Sequence, residues 1–140
     1  MSDASGVVIG VDPGSGKCGL AAVRAGGEIL HLSIVPCGEL AVRVVALREQ
    51  VPAEVLAIGD RTGSAAIAKA VREACPDARV EMVNEHNSTL RARDLYWLHN
   101  PPSILARLIP QSFRVPPRPI DDYAAAVLAL DWLKGQEGRD

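Results

Sequence analysis

Five acidic residues stand where apolar segments of the chain end or begin. Asp12, Asp60 and Glu85 each follow a short apolar run, and Asp121 and Asp122 open the last long apolar segment. If the fold brings these carboxylates together, they repel one another unless a cation neutralises them. Oxygen ligands without His or Cys suit Mg²⁺ or Mn²⁺. Two such ions about 4 Å apart can activate water and stabilise the leaving oxygen of a phosphodiester. The acids therefore predict a two-metal hydrolytic site.

Three of these acids also have purely structural interpretations. Asp12 precedes Pro13-Gly14 and could simply shape a turn. Asp60 could cap the helix expected from residue 64. Glu85 could be a surface residue at the end of a strand. These alternatives remain open on the sequence alone.

The acids at position 121 and 122 could stabilise the first turn of a helix. Asp121, however, lies at helical spacing from Ala125 and Leu128, on the face expected to be buried. Its carboxylate is therefore expected to face the sheet. Asp122 points about 100° further round the helix.

Basic residues are concentrated in one part of the chain. Between residues 86 and 119 five arginines accompany one aspartate, a net charge of +4, so the rest of the chain carries −6. The guanidinium fork suits bidentate contact with phosphate. We therefore expect a nucleic-acid-binding surface that includes Arg91, Arg93, Arg107, Arg114 and Arg118. A solvated basic face is the alternative interpretation.

A glycine-rich segment ends at Lys17, which could meet a phosphate or only solvent. The segment is not a P-loop, because five residues separate Gly10 from Gly16-Lys17 where four are needed, and Cys18 replaces the Ser or Thr. The glycines are better explained by a sharp turn beside Asp12.

The pattern of apolar residues predicts five strands and four main helices in the order β-β-β-α-β-α-β-α-loop-α. The loop contains six of the ten prolines and one short helix at Ser103–Leu108, and the last helix spans Ile120–Lys134. A three-strand meander followed by two crossovers gives a five-stranded mixed sheet with helices on both faces. Few folds have this order of elements, and the ribonuclease H-like fold is one of them. The acids after the first, fourth and fifth strands then share the edge where open α/β sheets place their sites.

Composition limits the class of protein. The chain has 140 residues, 48% of them apolar, and a net charge of −2, which favours one globular domain at 7–134 between a flexible leader, 1–6, and a flexible tail, 135–140. No apolar run approaches the ~20 residues of a membrane span. Three well-separated cysteines, Cys18, Cys37 and Cys75, suit neither a disulfide framework nor a zinc site. We expect reduced thiols in a cytoplasmic protein.

Three motifs carry a family resemblance. They are Val8-Ile-Gly-Val-Asp-Pro-Gly-Ser-Gly-Lys-Cys-Gly-Leu-Ala-Ala22, Val83-Asn-Glu-His-Asn-Ser-Thr-Leu-Arg-Ala-Arg93 and Ile120-Asp-Asp-Tyr-Ala-Ala-Ala-Val-Leu-Ala-Leu-Asp-Trp-Leu133. In order and spacing they resemble the motifs of the YqgF/RuvX family, ribonuclease H-like relatives of the RuvC Holliday junction resolvase. The resemblance covers nearly the whole chain.

The resemblance implies a catalytic trio of Asp12, Glu85 and Asp121, with Asp122 as an extra candidate metal ligand. It also implies either resolution of DNA junctions or processing of the end of precursor 16S ribosomal RNA. RuvC itself has a catalytic acid after its fourth strand, where this chain has Asp60. The chain departs from the family pattern at Asn84, where the family usually has Asp, and in a longer proline-rich segment. These departures suggest that the chain belongs to a divergent branch of the family, whose substrate could differ.

The expected function is a Mg²⁺- or Mn²⁺-dependent nuclease acting on structured RNA or branched DNA. Junction resolution requires two cuts and would favour a homodimer. A non-catalytic nucleic-acid-binding or scaffold protein on the same fold is the main alternative, supported by the acidic net charge. A phosphate-binding fragment related to actin and sugar kinases is a third interpretation, but those enzymes need two such domains.

Overall fold

A computed structural model describes residues 6–61, 63–85 and 88–137 of the chain. The main elements are, in order, β1 (Val7–Asp12), β2 (Lys17–Arg24), β3 (Ile29–Pro36), α1 (Leu40–Gln50), β4 (Val55–Gly59), α2 (Ser64–Ala74), β5 (Arg79–Val83), α3 (Ser88–His99) and α4 (Asp121–Glu137). Short 3₁₀ turns occur at Cys37–Glu39, Ala106–Leu108 and Gln111–Phe113. The predicted order of strands and helices is confirmed.

The five strands form one mixed sheet in the order β3-β2-β1-β4-β5. β1, β2 and β3 are antiparallel neighbours, whereas β4 and β5 run parallel to β1. The carboxyl ends of β1, β4 and β5 therefore lie at the same edge of the sheet. This is the predicted α/β architecture, and it brings the segments after residues 12, 59 and 83 together.

Apolar side chains alternate between the two faces of the central strand β1, so both faces are buried. Ile9 and Val11 pack with Leu47 of α1 and Val71 of α2 on one face. Val8 packs with alanines of α4 on the other face. A third cluster joins α3 to the outer side of α4 through aromatic side chains. α4 is consequently covered on both sides.

Several boundaries differ from those expected. The apolar pattern predicts that the second strand begins at Gly19, but β2 begins at Lys17, because Lys17 still pairs with Pro36 of β3. The short helix predicted at 103–108 is only the 3₁₀ turn Ala106–Leu108, in a segment whose prolines remove backbone donors. α4 continues to Glu137, so residues 135–137 are helical and extend the helix predicted to end at Lys134. The rest of the expected leader and tail, 1–5 and 138–140, lies outside the described residues.

The segment between α3 and α4 carries a group of exposed apolar side chains. Five of them are between 73% and 80% exposed: Ile104, Leu105, Leu108, Phe113 and Val115.

Within the described residues, no helix has the length and apolar character to cross a membrane.

Candidate functional site

Asp12 is the last residue of β1, and its side chain, which is 6% exposed, lies beneath the start of α4. It pairs across the ladder with Gly19 of β2. A Cβ at Gly19 would overlap the backbone carbonyl of Asp121, so the absence of a side chain lets α4 begin directly over β2. This close approach brings the first residue of α4 next to the end of β1.

Glu85 reaches the same edge from the segment after β5. A Cβ at Gly59, the last residue of β4, would overlap the Glu85 carboxyl group. The glycine therefore leaves the space in which this carboxylate lies. The side chain of Glu85 is only 8% exposed, and its backbone carbonyl accepts a hydrogen bond from Ser88 N, the first residue of α3, at 3.1 Å.

Arg61 supplies a cation between the two acids. Its Nη2 donates to Glu85 Oε1 at 2.8 Å, and its Nε and backbone N each donate to Glu85 Oε2 at 3.1 Å. The same Nη2 lies 3.6 Å from Asp12 Oδ1, close enough for an ion pair but too far for a hydrogen bond. The Arg61 side chain is 45% exposed, so it contacts the buried acids and is also accessible from solvent.

The electrostatics of the site are concentrated on Asp12. Burial, followed by the neighbouring Glu85 carboxyl group, raises the pKa of Asp12 to about 7, while the Arg61 guanidinium lowers it. Asp121 raises the pKa of Asp12 further. Asp12 Oδ1 is buried and has no hydrogen-bond partner among the described residues. An acid held in this way is stabilised in its charged form by an added cation.

The structure brings Asp12, Glu85 and Asp121 together and separates the two other acids from them. Asp60 is exposed, and within the described residues its carboxylate has no hydrogen bond or ion pair. Asp122 is buried, but its two carboxylate oxygens each accept a hydrogen bond from Arg118 at 3.2 Å. Asp122 is therefore already neutralised by an arginine four residues earlier in the chain.

The donor set fits an oxygen-preferring cation in chemical type. Asp12 offers a buried carboxylate oxygen without a partner, and Glu85 and Asp121 add further carboxylates. Over the ranges that the structure describes, however, no three His, Cys, Asp or Glu side chains are already grouped as metal ligands. Arg61 contacts both Asp12 and Glu85, so a cation there would compete with this guanidinium.

Most of the arginines predicted to bind nucleic acid contact the protein itself. Arg91 forms an ion pair with Asp131 of α4. Arg114 donates to the carbonyls of residues 106, 107 and 109 and so holds the proline-rich segment together. Arg93 donates to the Arg114 carbonyl at 3.1 Å. These contacts reduce the number of guanidinium groups available to a phosphate.

Arg118 is also engaged. Besides its bond to Asp122, its guanidinium lies over the rings of Tyr96 and Tyr123, 5.5 and 5.6 Å from their centroids. Lys17 and Arg107 are exposed, and neither side chain has a hydrogen bond or ion pair in the part of the chain that the structure describes. Of the six predicted contacts, these two remain the most accessible to a ligand.

A cleft of about 620 Å³ opens beside the acids and is lined by Gly14, Ser15, Cys37 and Arg61, among others. The sequence analysis did not identify Arg61, although its position two residues after the fourth strand was a usable signal. It also missed Gly59, whose role depends on a side chain from another strand.

No family model matches the chain, and no curated protein matches its sequence. Solved structures are similar in fold. RuvC from Thermus thermophilus has a TM-score of 0.62 and 20% sequence identity, over 94% of this chain and 96% of that one. The fowlpox virus resolvase, solved with substrate Holliday junction DNA, has a TM-score of 0.60 and 10% identity, over 93% and 98% of the two chains.

The yeast mitochondrial Holliday junction resolvase Ydc2 is similar with a TM-score of 0.52 and 12% identity, over 96% of this chain and 81% of that one. At these identities the similarity establishes the fold. The predicted ribonuclease H-like arrangement, with its five-stranded mixed sheet, is confirmed. Membership of the YqgF/RuvX family stays a prediction.

Proposed function

We propose that the chain is a Mg²⁺- or Mn²⁺-dependent nuclease that hydrolyses phosphodiester bonds in structured nucleic acid. The observation that carries the proposal is the buried Asp12 carboxylate, with one oxygen unpartnered, beside Glu85 and Asp121 at the carboxyl edge of the sheet. Three solved structures share this fold over most of their length: one is RuvC, and the other two are named as resolvases of Holliday junctions. Their function supports the proposal by analogy of fold.

Asp12, Glu85 and Asp121 are the residues that would hold the cation. A bound divalent ion would supply positive charge against a scissile phosphate and lower the pKa of a water molecule. The protein contributes a buried carboxylate whose charge is poorly compensated, and a half-exposed Arg61 that reaches the adjoining cleft. The Arg61 fork also suits a phosphate oxygen pair, so we assign it to substrate contact as well as to charge balance.

Asp60 and Asp122, the two further candidate ligands, are given lesser roles. Asp60 is exposed at the same edge and could contact a second cation only from outside the buried group. Asp122 is bound by Arg118. We therefore assign the second position of the site to Glu85 rather than to Asp60.

Cleavage assays with purified protein test this assignment. The substrates are a labelled four-way DNA junction and a labelled RNA carrying a precursor extension, each under single-turnover conditions with Mg²⁺ or Mn²⁺. We expect losses of about 100-fold or more for Asp12→Asn, Glu85→Gln and Asp121→Asn. A partial loss is expected for Asp122→Asn and a small one for Asp60→Asn. Glu73→Gln, on the exposed side of α2, is the matched control.

The two substrates separate the two forms of the proposal. Cleavage of the junction alone would indicate resolution, for which two copies of the chain would have to act on one junction. Cleavage of the RNA alone would indicate ribosomal RNA processing. Full activity of Asp12→Asn on either substrate would refute the carboxylate-bound metal site.

One observation favours a non-catalytic nucleic-acid-binding protein as the second candidate. Arg61 donates three hydrogen bonds to Glu85 and thereby satisfies much of this carboxylate without a metal. In a purely structural site this contact alone would compensate the charge of Glu85. Binding of either substrate without cleavage, unchanged by Asp12→Asn and by added Mn²⁺, would favour that function.

A further inference from the structure

Two thiols from different parts of the sequence meet beside the candidate site. Cys18 lies in β2, and Cys37 begins the 3₁₀ turn that follows β3. Their Sγ atoms are 2.8 Å apart. The backbone N of Cys37 donates to the carbonyl of Gly16 at 3.0 Å, which fixes the end of β3 against the start of β2. The contact between the sulfurs therefore follows from strand pairing.

The two thiols differ in access. Cys18 is fully buried, and burial, followed by contact with Cys37, raises the pKa of its thiol to about 12. Cys37 is half-buried and lines the cleft that also contains Arg61. Its Sγ donates to the Gly14 carbonyl at 3.1 Å. A small oxidant therefore reaches Cys37 first, with Cys18 directly behind it.

The third cysteine has a different setting. Cys75 follows α2, is buried, and packs in the core cluster with Val71 and Ile58. No thiol is in contact with it among the described residues. Cys75 is thus an internal comparison for a buried cysteine without a sulfur neighbour.

We infer that Cys18 and Cys37 form a dithiol site that a peroxide converts to an intramolecular disulfide. The Cys37 thiolate attacks one peroxide oxygen, and the other oxygen leaves as water after taking up a proton, which gives a sulfenic acid. The Cys18 sulfur then attacks the Cys37 sulfur, and the hydroxyl group leaves as water with the Cys18 proton. In sum, two thiols and one hydrogen peroxide give one disulfide and two waters.

The sulfurs need only a small approach to form this bond, because a disulfide has a sulfur–sulfur distance of about 2 Å. Oxidation removes the thiol hydrogen that Cys37 donates to Gly14. Gly14 is two residues after Asp12, in the turn that leads from β1 to β2. The modification is therefore coupled by its position to the turn beside the acids, and it does not depend on the chain being a nuclease.

Peptide mapping of the whole protein tests the inference. The reduced protein is treated with hydrogen peroxide and then denatured in the presence of iodoacetamide, which alkylates every free thiol. The product is digested with trypsin. Cleavage after Lys17, Arg24 and Arg43 places Cys18 in peptide 18–24 and Cys37 in peptide 25–43, whereas Cys75 falls in peptide 73–79. We expect the first two peptides to be joined by a disulfide, with a mass two hydrogens below the sum of the two reduced peptides. The number of alkylated cysteines should fall from three to one and return to three with dithiothreitol.

Cysteine variants show which sulfur reacts with the peroxide and which one then completes the disulfide. Cys75→Ser should form the disulfide as the wild type does. Cys37→Ser should leave Cys18 reduced and alkylatable, because the accessible thiol is gone. Cys18→Ser should accumulate sulfenic or sulfinic acid at Cys37. If Cys18→Ser does not fold, wild-type mapping and Cys37→Ser still decide the question.

Three results would overturn the inference. The first is a treated wild type in which both peptides are alkylated separately. The second is over-oxidation of Cys37 while Cys18 stays reduced. The third is a disulfide that joins two chains, or one that involves Cys75.

Discussion

Replacing Asp12 with Asn should remove a pH-dependent weakness of the metal-free protein. Burial and the Glu85 carboxyl group raise the pKa of Asp12 to about 7 from its usual 3.8. The folded state therefore holds a proton between pH 4 and pH 7 that the unfolded chain has released. Stability falls as the pH rises through this window, and above pH 7 the full cost of the buried charge is present.

The size of the effect follows from the shift of the pKa. A change of one in the pKa corresponds to about 1.36 kcal/mol. The rise of the Asp12 pKa from 3.8 to about 7 therefore lowers the unfolding free energy by about 4 kcal/mol in total once the carboxylate is fully charged. Between pH 5 and pH 8 the wild type should lose about 3 kcal/mol of that. The Asn side chain does not titrate. The difference in unfolding free energy, variant minus wild type, should therefore grow by this amount from pH 5 to pH 8.

Urea denaturation in the presence of EDTA, followed by tryptophan fluorescence, measures this difference. Comparing differences at two pH values cancels the titration of groups common to both proteins. Asp60→Asn is the matched control, because it replaces an exposed acid that lies one strand away from Asp12. A change for Asp12→Asn below about 1 kcal/mol, or of opposite sign, would refute the burial argument.

Added Mn²⁺ gives the second half of this prediction. A cation that binds only the folded protein stabilises it by about 2.7 kcal/mol at 100 times its dissociation constant. The wild type should gain this stability at pH 8, and Asp12→Asn should gain little. Equal stabilisation of both proteins would place the metal elsewhere.

The other predictions concern the groups around the acids. Arg61→Ala should destabilise the metal-free protein by about 1–3 kcal/mol in urea, because the nearly buried Glu85 loses its cation; unchanged stability would make the contact superficial. Gly59→Ala should reduce cleavage about tenfold, with the fold retained by circular dichroism, because the new Cβ displaces the Glu85 carboxyl; wild-type activity would show that Glu85 has no fixed role. Lys17→Ala should lower the log–log salt slope of nucleic-acid binding by about one, whereas Arg114→Ala, whose guanidinium binds carbonyls, should not.

The strands and their order were predictable because their residues are unambiguous. The short apolar run at 55–59 predicts a buried strand, and β4 spans Val55–Gly59, since polar residues on both sides leave little choice of where the strand begins and ends. The topology followed from the order of elements and the right-handed crossover rule. Convergence of Asp12 and Glu85 at one edge followed in turn, because it depends only on which strands are parallel.

The partners of the charged residues were not predictable. Arg91 pairs with Asp131, 40 residues away, and a count of charge along the chain does not reveal such a pair. The helical face of Asp121 was an incomplete guide for the same reason. Asp122 is the more buried of the two acids, and both of its carboxylate oxygens accept hydrogen bonds from Arg118.

Apolar packing of α4 holds the acids together against their repulsion. Residues 122–129 of α4 are all buried, and burial of one side chain such as Leu128 contributes about 1.5–3 kcal/mol. Two like charges 4 Å apart repel by about 1–4 kcal/mol when the effective dielectric constant lies between that of water and that of a protein surface. The packing of several side chains therefore exceeds the repulsion at Asp12. Gly10 and Gly19 allow this packing, because a Cβ at either position would overlap the backbone of α4. The spacing of the acids is thus fixed by the core, so a bulkier residue at Gly19 should disturb the site without changing any charge.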